Sequence, residues 1–110
     1  MSSRFQLSKS KDKRFKFVLK AGNSETILTS EFYQTKTSAK NGIESVRTNC
    51  KLAKRYDLKD SRNGKFYFNL KAANQQIIGT SEMYDSERAR EKGIDSVKAN
   101  GKTHIIEEAA

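Results

Sequence analysis

The sequence predicts an α+β fold in which two tandem, pseudo-symmetric units of strand, strand, strand, helix build one antiparallel sheet with two helices on one face. Three observations carry this expectation. Shifting the chain by 51 residues matches 20 of 50 positions of segment 4–53 with segment 55–104, without a gap. Self-similarity at a fixed period marks a repeated structural unit. Within each unit the apolar period is 2 and then 3.6, the change that separates strands from a helix. No proline occurs, so every backbone N–H can join a ladder.

Phe5 and Leu7 alternate, as do Tyr56 and Leu58, giving a short first strand in each unit. Ser10-Lys11-Asp12-Lys13 and Ser61-Arg62-Asn63-Gly64 then break the pattern. The Asn63-Gly64 pair predicts a tight hairpin, because both residue types tolerate positive φ. In the second strand Phe15, Phe17, Leu19 and Ala21 share one face, and Arg14, Lys16, Val18 and Lys20 share the other. Asn23 and Asn74 sit in the next turns, where a left-handed conformation or an Asx bond suits asparagine. The third strand is expected through Thr26–Tyr33. Thr35 and Ser86 then fit as N-caps, whose hydroxyls accept from first-turn N–H groups. Ala39, Ile43, Val46 and Cys50 form one helical stripe, and Ala89, Ile94, Val97 and Gly101 a looser one. Gly42 and Gly93 lie mid-helix, where glycine costs about 1 kcal/mol relative to alanine. Recurrence of that costly residue predicts that packed sheet backbone approaches too closely there for a side chain; a positive φ at a helix break is the alternative. Thr103–Glu107 is expected as a final strand.

The chain is expected to be a single domain, residues 1–110, with repeats at 4–53 and 55–104 and a C-terminal strand and tail at 105–110. The strand Phe15-x-Phe17-x-Leu19-Lys20-Ala21 and its copy at 66–72, with Ser30-Glu31-x-Tyr33 and Gly42-Ile43-x-Ser45-Val46 and their copies, resembles the YegP-like family. These are small, uncharacterised bacterial proteins built from tandem domains of about 50 residues. The resemblance spans nearly the whole chain. It implies exchange of C-terminal strands between the two units, and it implies no activity.

Composition excludes several classes. The chain has 110 residues with 35% hydrophobic and 32% charged, and no apolar run approaches the roughly 18 residues of a membrane span. The start lacks the apolar region of a secretory signal. Cys50 and His104, the single cysteine and histidine, make neither a disulfide nor a metal site. Neither belongs to the repeated framework; Cys50 reads as a buried stripe residue and His104 as exposed and unpaired. No catalytic motif is present, and no enzyme, cofactor or metal is expected. A reducing cytoplasm and a monomeric state are the defaults.

Charge is the loudest functional signal. Residues 1–54 carry a net +8 and residues 55–110 a net +1, which recovers the +9 of the chain. Lys9, Lys11, Lys13, Arg14, Lys16 and Lys20 surround the first hairpin, and such a patch suits nucleic acid or an anionic surface. A solvated outer sheet face explains it equally simply, and is favoured because Lys11, Lys13 and Lys16 become Arg62, Gly64 and Tyr67 in the second unit. The polar residues matched between the units are Lys20 and Lys71, Asn23 and Asn74, Glu31 and Glu82, Tyr33 and Tyr84, Ser45 and Ser96, Asn49 and Asn100. They suit either a symmetric ligand site or structural work, and structural work is favoured because duplication of one ancestral unit explains their retention without any chemistry. The structural version pairs Glu31 with Lys20 across strands and gives Asn49 and Asn100 positive φ at helix ends. The expected function is a small non-enzymatic binding or interaction module with an unidentified partner; weak, sequence-nonspecific nucleic-acid binding through the first hairpin is the alternative.

Overall fold

The computed structural model describes residues 2–108; the expected tail at 109–110 lies outside them. The elements are β1 (Arg4–Lys9), β2 (Phe15–Lys20), β3 (Thr26–Ser30), α1 (Lys36–Asn49), a 3-10 turn at Ala53–Arg55, β4 (Tyr56–Asp60), β5 (Phe66–Lys71), β6 (Ile77–Thr80), α2 (Glu87–Asn100) and β7 (Ile106–Glu108). The strands form one seven-stranded sheet in the order β4-β5-β6-β3-β2-β1-β7. Six strands are antiparallel neighbours, whereas β7 runs parallel to β1, so the sheet is mixed rather than purely antiparallel. The departure follows from connectivity. The place across the sheet that corresponds to β4 is already filled by β1, so the strand leaving α2 adds outside it. Each strand that follows a helix thereby joins the far half: β4 pairs with β5, and β7 with β1.

The halves meet at β3 and β6, where Thr29 pairs in register with Thr80, its own counterpart. A pseudo-twofold axis therefore passes through that pair. Phe5, Leu7, Phe17, Leu19, Leu28, Phe68 and Leu70 from the sheet join Ala39, Ile43, Val46, Cys50, Ile94 and Val97 from the helices in one core. Both helices thus cover the same face. Thr35 and Ser86 cap them, accepting from the Ser38 and Ala89 amides at 3.0 Å. In α2 the stripe position is Arg90, not Ala89: Arg90 corresponds to Ala39, is buried, and lies 5.3 Å from the Phe66 ring centroid. Cys50 is fully buried at the end of α1, where an added Cβ on Gly101 would come within 2.8 Å of its sulfur. The larger residue of one unit fills the space left by the smaller residue of the other.

Both glycines of interest are helical and neither has positive φ. The close approach is to a tyrosine rather than to sheet backbone: a Cβ on Gly42 would lie 2.3 Å from Tyr33 Oη, and one on Gly93 2.3 Å from Tyr84 Oη. In the second-unit hairpin only Gly64 takes positive φ (79°), and Lys13 takes it in the first (67°). Each loop closes as a turn followed by one left-handed residue, not as a two-residue hairpin.

Candidate functional site: twin clefts across the repeat junction

The third strands end at Ser30 and Thr80 rather than running on to the tyrosines. A buried serine causes the exit. Ser30 Oγ accepts from the Phe17 amide at 2.8 Å and donates to the Glu31 carbonyl at 2.8 Å. Ser81 repeats this with Phe68 and Glu82, at 2.9 Å for both bonds. With the hydroxyl satisfying a ladder amide, the backbone swings away, and Tyr33 rejoins only through paired bonds with Phe15 at 2.7 and 2.8 Å. Nothing in the alternation of Thr26–Tyr33 marks this break; the identity of Ser30 and Ser81 is the signal that would have found it.

A second irregularity shapes the same region. Leu19 pairs with Leu28 and Lys20 with Thr26, so Ile27 is an extra residue in β3. Leu70 pairs with Gly79 and Lys71 with Ile77, which makes Ile78 its counterpart. Such bulges re-aim a side chain, and here both isoleucines become cleft walls.

Two clefts of about 400 Å³ each result, related by the pseudo-twofold axis. In the first, Glu31 and Tyr33 face Asn74, Gln76 and Ile78 of the other unit, and Ser38, Asn41 and Ser45 of α1 form the helix side. In the second, Glu82 and Tyr84 face Glu25, Thr26 and Ile27. Burial, then Glu31, pushes the Tyr33 phenol up; burial, then Glu82 and Glu25, does the same to Tyr84. Each ring stacks on the phenylalanine behind it, Tyr33 on Phe17 at 6.2 Å and Tyr84 on Phe68 at 6.5 Å.

The matched polar residues divide between this site and the scaffold. Glu31, Tyr33, Ser45, Asn74, Glu82 and Tyr84 line clefts. Asn23 and Asn74 make Asx bonds, accepting from the Glu25 and Gln76 amides at 3.1 Å, while positive φ falls on the following residues, Ser24 and Gln75. Asn49 and Asn100 keep negative φ; their side chains instead donate back to the Ser45 and Ser96 carbonyls at 2.8 and 2.7 Å. The Glu31–Lys20 pair does not form. Lys20 lies in register with Arg4 and Thr26, whereas Glu31 has left the strand. Lys71 pairs with Asp57 at 3.0 Å, and Lys20 lacks that partner because Gln6 stands in the corresponding position.

The basic residues gather around an aromatic that the sequence reading passed over. Phe32 follows the serine break and is 47% exposed. The Arg14 guanidinium sits 4.2 Å and Lys16 Nζ 5.9 Å from its ring centroid, and Lys9 Nζ is 5.9 Å from that of Phe15. Arg14 is also held by Asp12 at 2.7 Å. Lys11 and Lys13 occupy the turn, and Lys20 lies at the far end of β2. His104 is exposed but not unpaired: Arg47 Nη2 lies 2.5 and 3.0 Å from its two ring nitrogens. Burial raises the Cys50 thiol pKa, which keeps it inert. Among the described residues no group of three or more metal-ligating side chains is gathered, and no helix is long and apolar enough to cross a membrane.

Fold and site define a class: a two-unit α+β sheet protein with duplicated clefts astride its axis. Comparison with known proteins gives the family. The description "Domain of unknown function (DUF1508)" matches twice in tandem, at residues 10–57 and 61–108. The chain is 60% identical over 108 residues to the UPF0339 protein YegP of Escherichia coli K12, covering 98% of each, and 59% identical to a UPF0339 protein of Shewanella oneidensis, again covering 98% of each. Solution NMR structures of an E. coli yegP protein of unknown function and of a Shewanella UPF0339 protein match with TM-scores of 0.93 and 0.92, at 60% and 59% identity. These matches cover 98% of this chain and 93% and 92% of the solved chains. The chain belongs to the uncharacterised YegP-like, DUF1508 family.

Proposed function

We propose that this chain is a non-enzymatic, monomeric binding module whose ligand occupies the twin clefts. The observation that carries the reading is the fate of Glu31 and Glu82. Both are duplicated and line clefts, and neither makes an ion pair among the described residues of a chain with 22 cationic side chains. Carboxylates beside phenols in concave sites suit a ligand that presents ammonium groups or several hydroxyl donors. The raised phenol pKa values move the tyrosines away from general-base work near neutral pH. The single buried, free Cys50 suits a reducing, cytoplasmic setting.

Amide-resolved NMR titration tests this reading, with spermidine as the amine probe and glucose as the hydroxyl-rich one. Saturable shifts are expected at Glu31, Tyr33, Gly42 and Gln76 and at their counterparts Glu82, Tyr84, Gly93 and Glu25, and they should vanish in Glu31→Gln/Glu82→Gln. Absence of saturable shifts with both probes, shifts scattered over the surface, or shifts that survive the double substitution refute it.

A second reading rests on Phe32. An exposed ring between Arg14 and Lys16 offers stacking and charge together, as single-stranded nucleic acid requires. Anisotropy with a labelled oligonucleotide at low salt should then show affinity that falls steeply as salt rises. Charge reversal at Lys11, Lys13 and Lys16 should abolish it, and no signal at low salt ends this reading.

A further inference from the structure

The pseudo-twofold axis exposes one inequality between the halves. At one end of the sheet, β7 lies parallel against β1, pairing Ile106 with Phe5, Glu107 with Gln6 and Glu108 with Leu7. At the other end, β4 has no such neighbour among the described residues. The consequence is visible in the counterpart residues: Leu7 is 2% exposed, whereas Leu58 is 51% exposed. A groove of about 180 Å³ runs beside β4, lined by Ala53, Tyr56, Leu58, Glu91, Ile94 and Lys98. Arg90 closes the far end of this edge, donating to the Lys59 carbonyl at 3.1 Å and pairing with Asp60 at 3.3 Å. Along Tyr56–Leu58, the counterparts of the residues that β7 covers, the Tyr56 N–H is turned back to the Ala53 carbonyl, and the edge from the Tyr56 carbonyl through Leu58 stays open among the described residues.

We propose that the β4 edge is a docking site for an extended segment of a partner protein, added parallel to β4 as β7 is added to β1. Strand addition of this kind takes affinity from backbone bonds and specificity from alternate side chains, and β7 supplies the template for both, less the 2.9 Å bond from the Phe5 N–H to the Ile105 carbonyl, whose counterpart donor on Tyr56 is already used. An apolar residue is required at the Ile106 position, facing Tyr56. At the Glu108 position the charge code inverts. Glu108 Oε1 lies 2.7 Å from Lys36 Nζ, and its Oε2 lies 3.8 Å from Lys40 Nζ; the residues at these two places in α2 are Glu87 and Glu91. A lysine or arginine is therefore required two residues after the apolar one. The same inversion tells against the chain's own C-terminal strand, whose Glu108 would face the carboxylate of Glu91 and that of Glu87, the latter 3.9 Å from Arg90. Like charges placed opposite each other select against a wrong partner, so the edge discourages self-association while remaining open to a basic segment.

The test uses the full chain and two synthetic peptides, residues 103–108 with Glu108→Lys and the same segment unchanged. NMR titration should show saturable shifts at Tyr56–Asp60 and along the facing side of α2 for the lysine peptide, with the unchanged peptide at least about tenfold weaker. Glu87→Lys/Glu91→Lys in the protein should reverse that preference. Leu58→Asp, at an exposed position, should remove binding without altering the cleft amides. No shift at Tyr56–Asp60 at millimolar peptide, equal binding of both peptides, or displacement of β7 from β1 overturns the proposal. Dimerisation of the unmodified chain through β4, read by sedimentation equilibrium, would assign the edge to a second copy and overturn it equally.

Discussion

Gly42→Ala sets two effects of opposite sign against each other in one residue. Helix propensity alone favours alanine by about 1 kcal/mol in a helix interior. The new Cβ would lie 2.3 Å from Tyr33 Oη, 2.7 Å from its Cζ and 3.0 Å from Phe17 Cε2, while ordinary carbon contacts are about 3.5–4.0 Å. Tyr33 must withdraw by about 1 Å, but its ring is stacked on Phe17 and its backbone is bonded twice to Phe15. Overpacking of this kind costs typically about 1–3 kcal/mol, so the steric cost outweighs propensity and a net loss of about 1 kcal/mol or more is expected. Gly93→Ala should behave alike, with Tyr84 Oη at 2.3 Å and Cζ at 2.5 Å. Urea unfolding is the assay, and the midpoint should fall at unchanged slope. Pairing each variant with truncation of its tyrosine should recover about 1–2 kcal/mol as a coupling energy. A higher midpoint for either single alanine variant refutes the reasoning.

Other perturbations follow from the same contacts. Ser30→Ala or Ser81→Ala strands the Phe17 or Phe68 amide, and each should cost about 1–3 kcal/mol in urea unfolding. Lys13→Gly should stabilise by about 0.5–1 kcal/mol, because Lys13 holds φ 67° where its counterpart is already Gly64. Hydrogen bonding from Lys71 and the nearby Lys59 charge hold the Asp57 carboxyl below its ordinary 3.8. A folded pKa below the unfolded one contributes stability that is present above the unfolded value and lost as pH falls through the folded value. A carboxylate NMR titration should therefore place the Asp57 midpoint under 3.8, and Lys71→Ala should raise it.

Element order and most of the core were legible because the repeat supplies two readings of each element. Where one copy was looser, as in the stripe Ala89, Ile94, Val97 and Gly101, the regular stripe Ala39, Ile43, Val46 and Cys50 showed the helix. What stayed hidden depends on single atoms. The Ser30 hydroxyl replaces a strand bond, so Glu31, Phe32 and Tyr33 leave a segment whose alternation still reads as β. Ile27 and Ile78 bulge out of register without interrupting the apolar pattern. Arg90 occupies a core stripe position because its guanidinium reaches Asp60 and lies over the Phe66 ring, an arrangement invisible to periodicity. The exchange of Lys36 and Lys40 for Glu87 and Glu91 is plain in the sequence, but it acquires meaning only once Glu108 is seen against the lysines.

The central claim is that Glu31 and Glu82 serve a ligand and not the fold. The stability of Glu31→Gln/Glu82→Gln, measured by urea unfolding without any ligand present, tests it most directly. Exposed side chains without partners contribute little, so each site should change stability by less than about 0.5 kcal/mol, and the midpoint should match that of the parent chain. A loss of more than about 1 kcal/mol per site would show the carboxylates holding the sheet together, and would contradict the account.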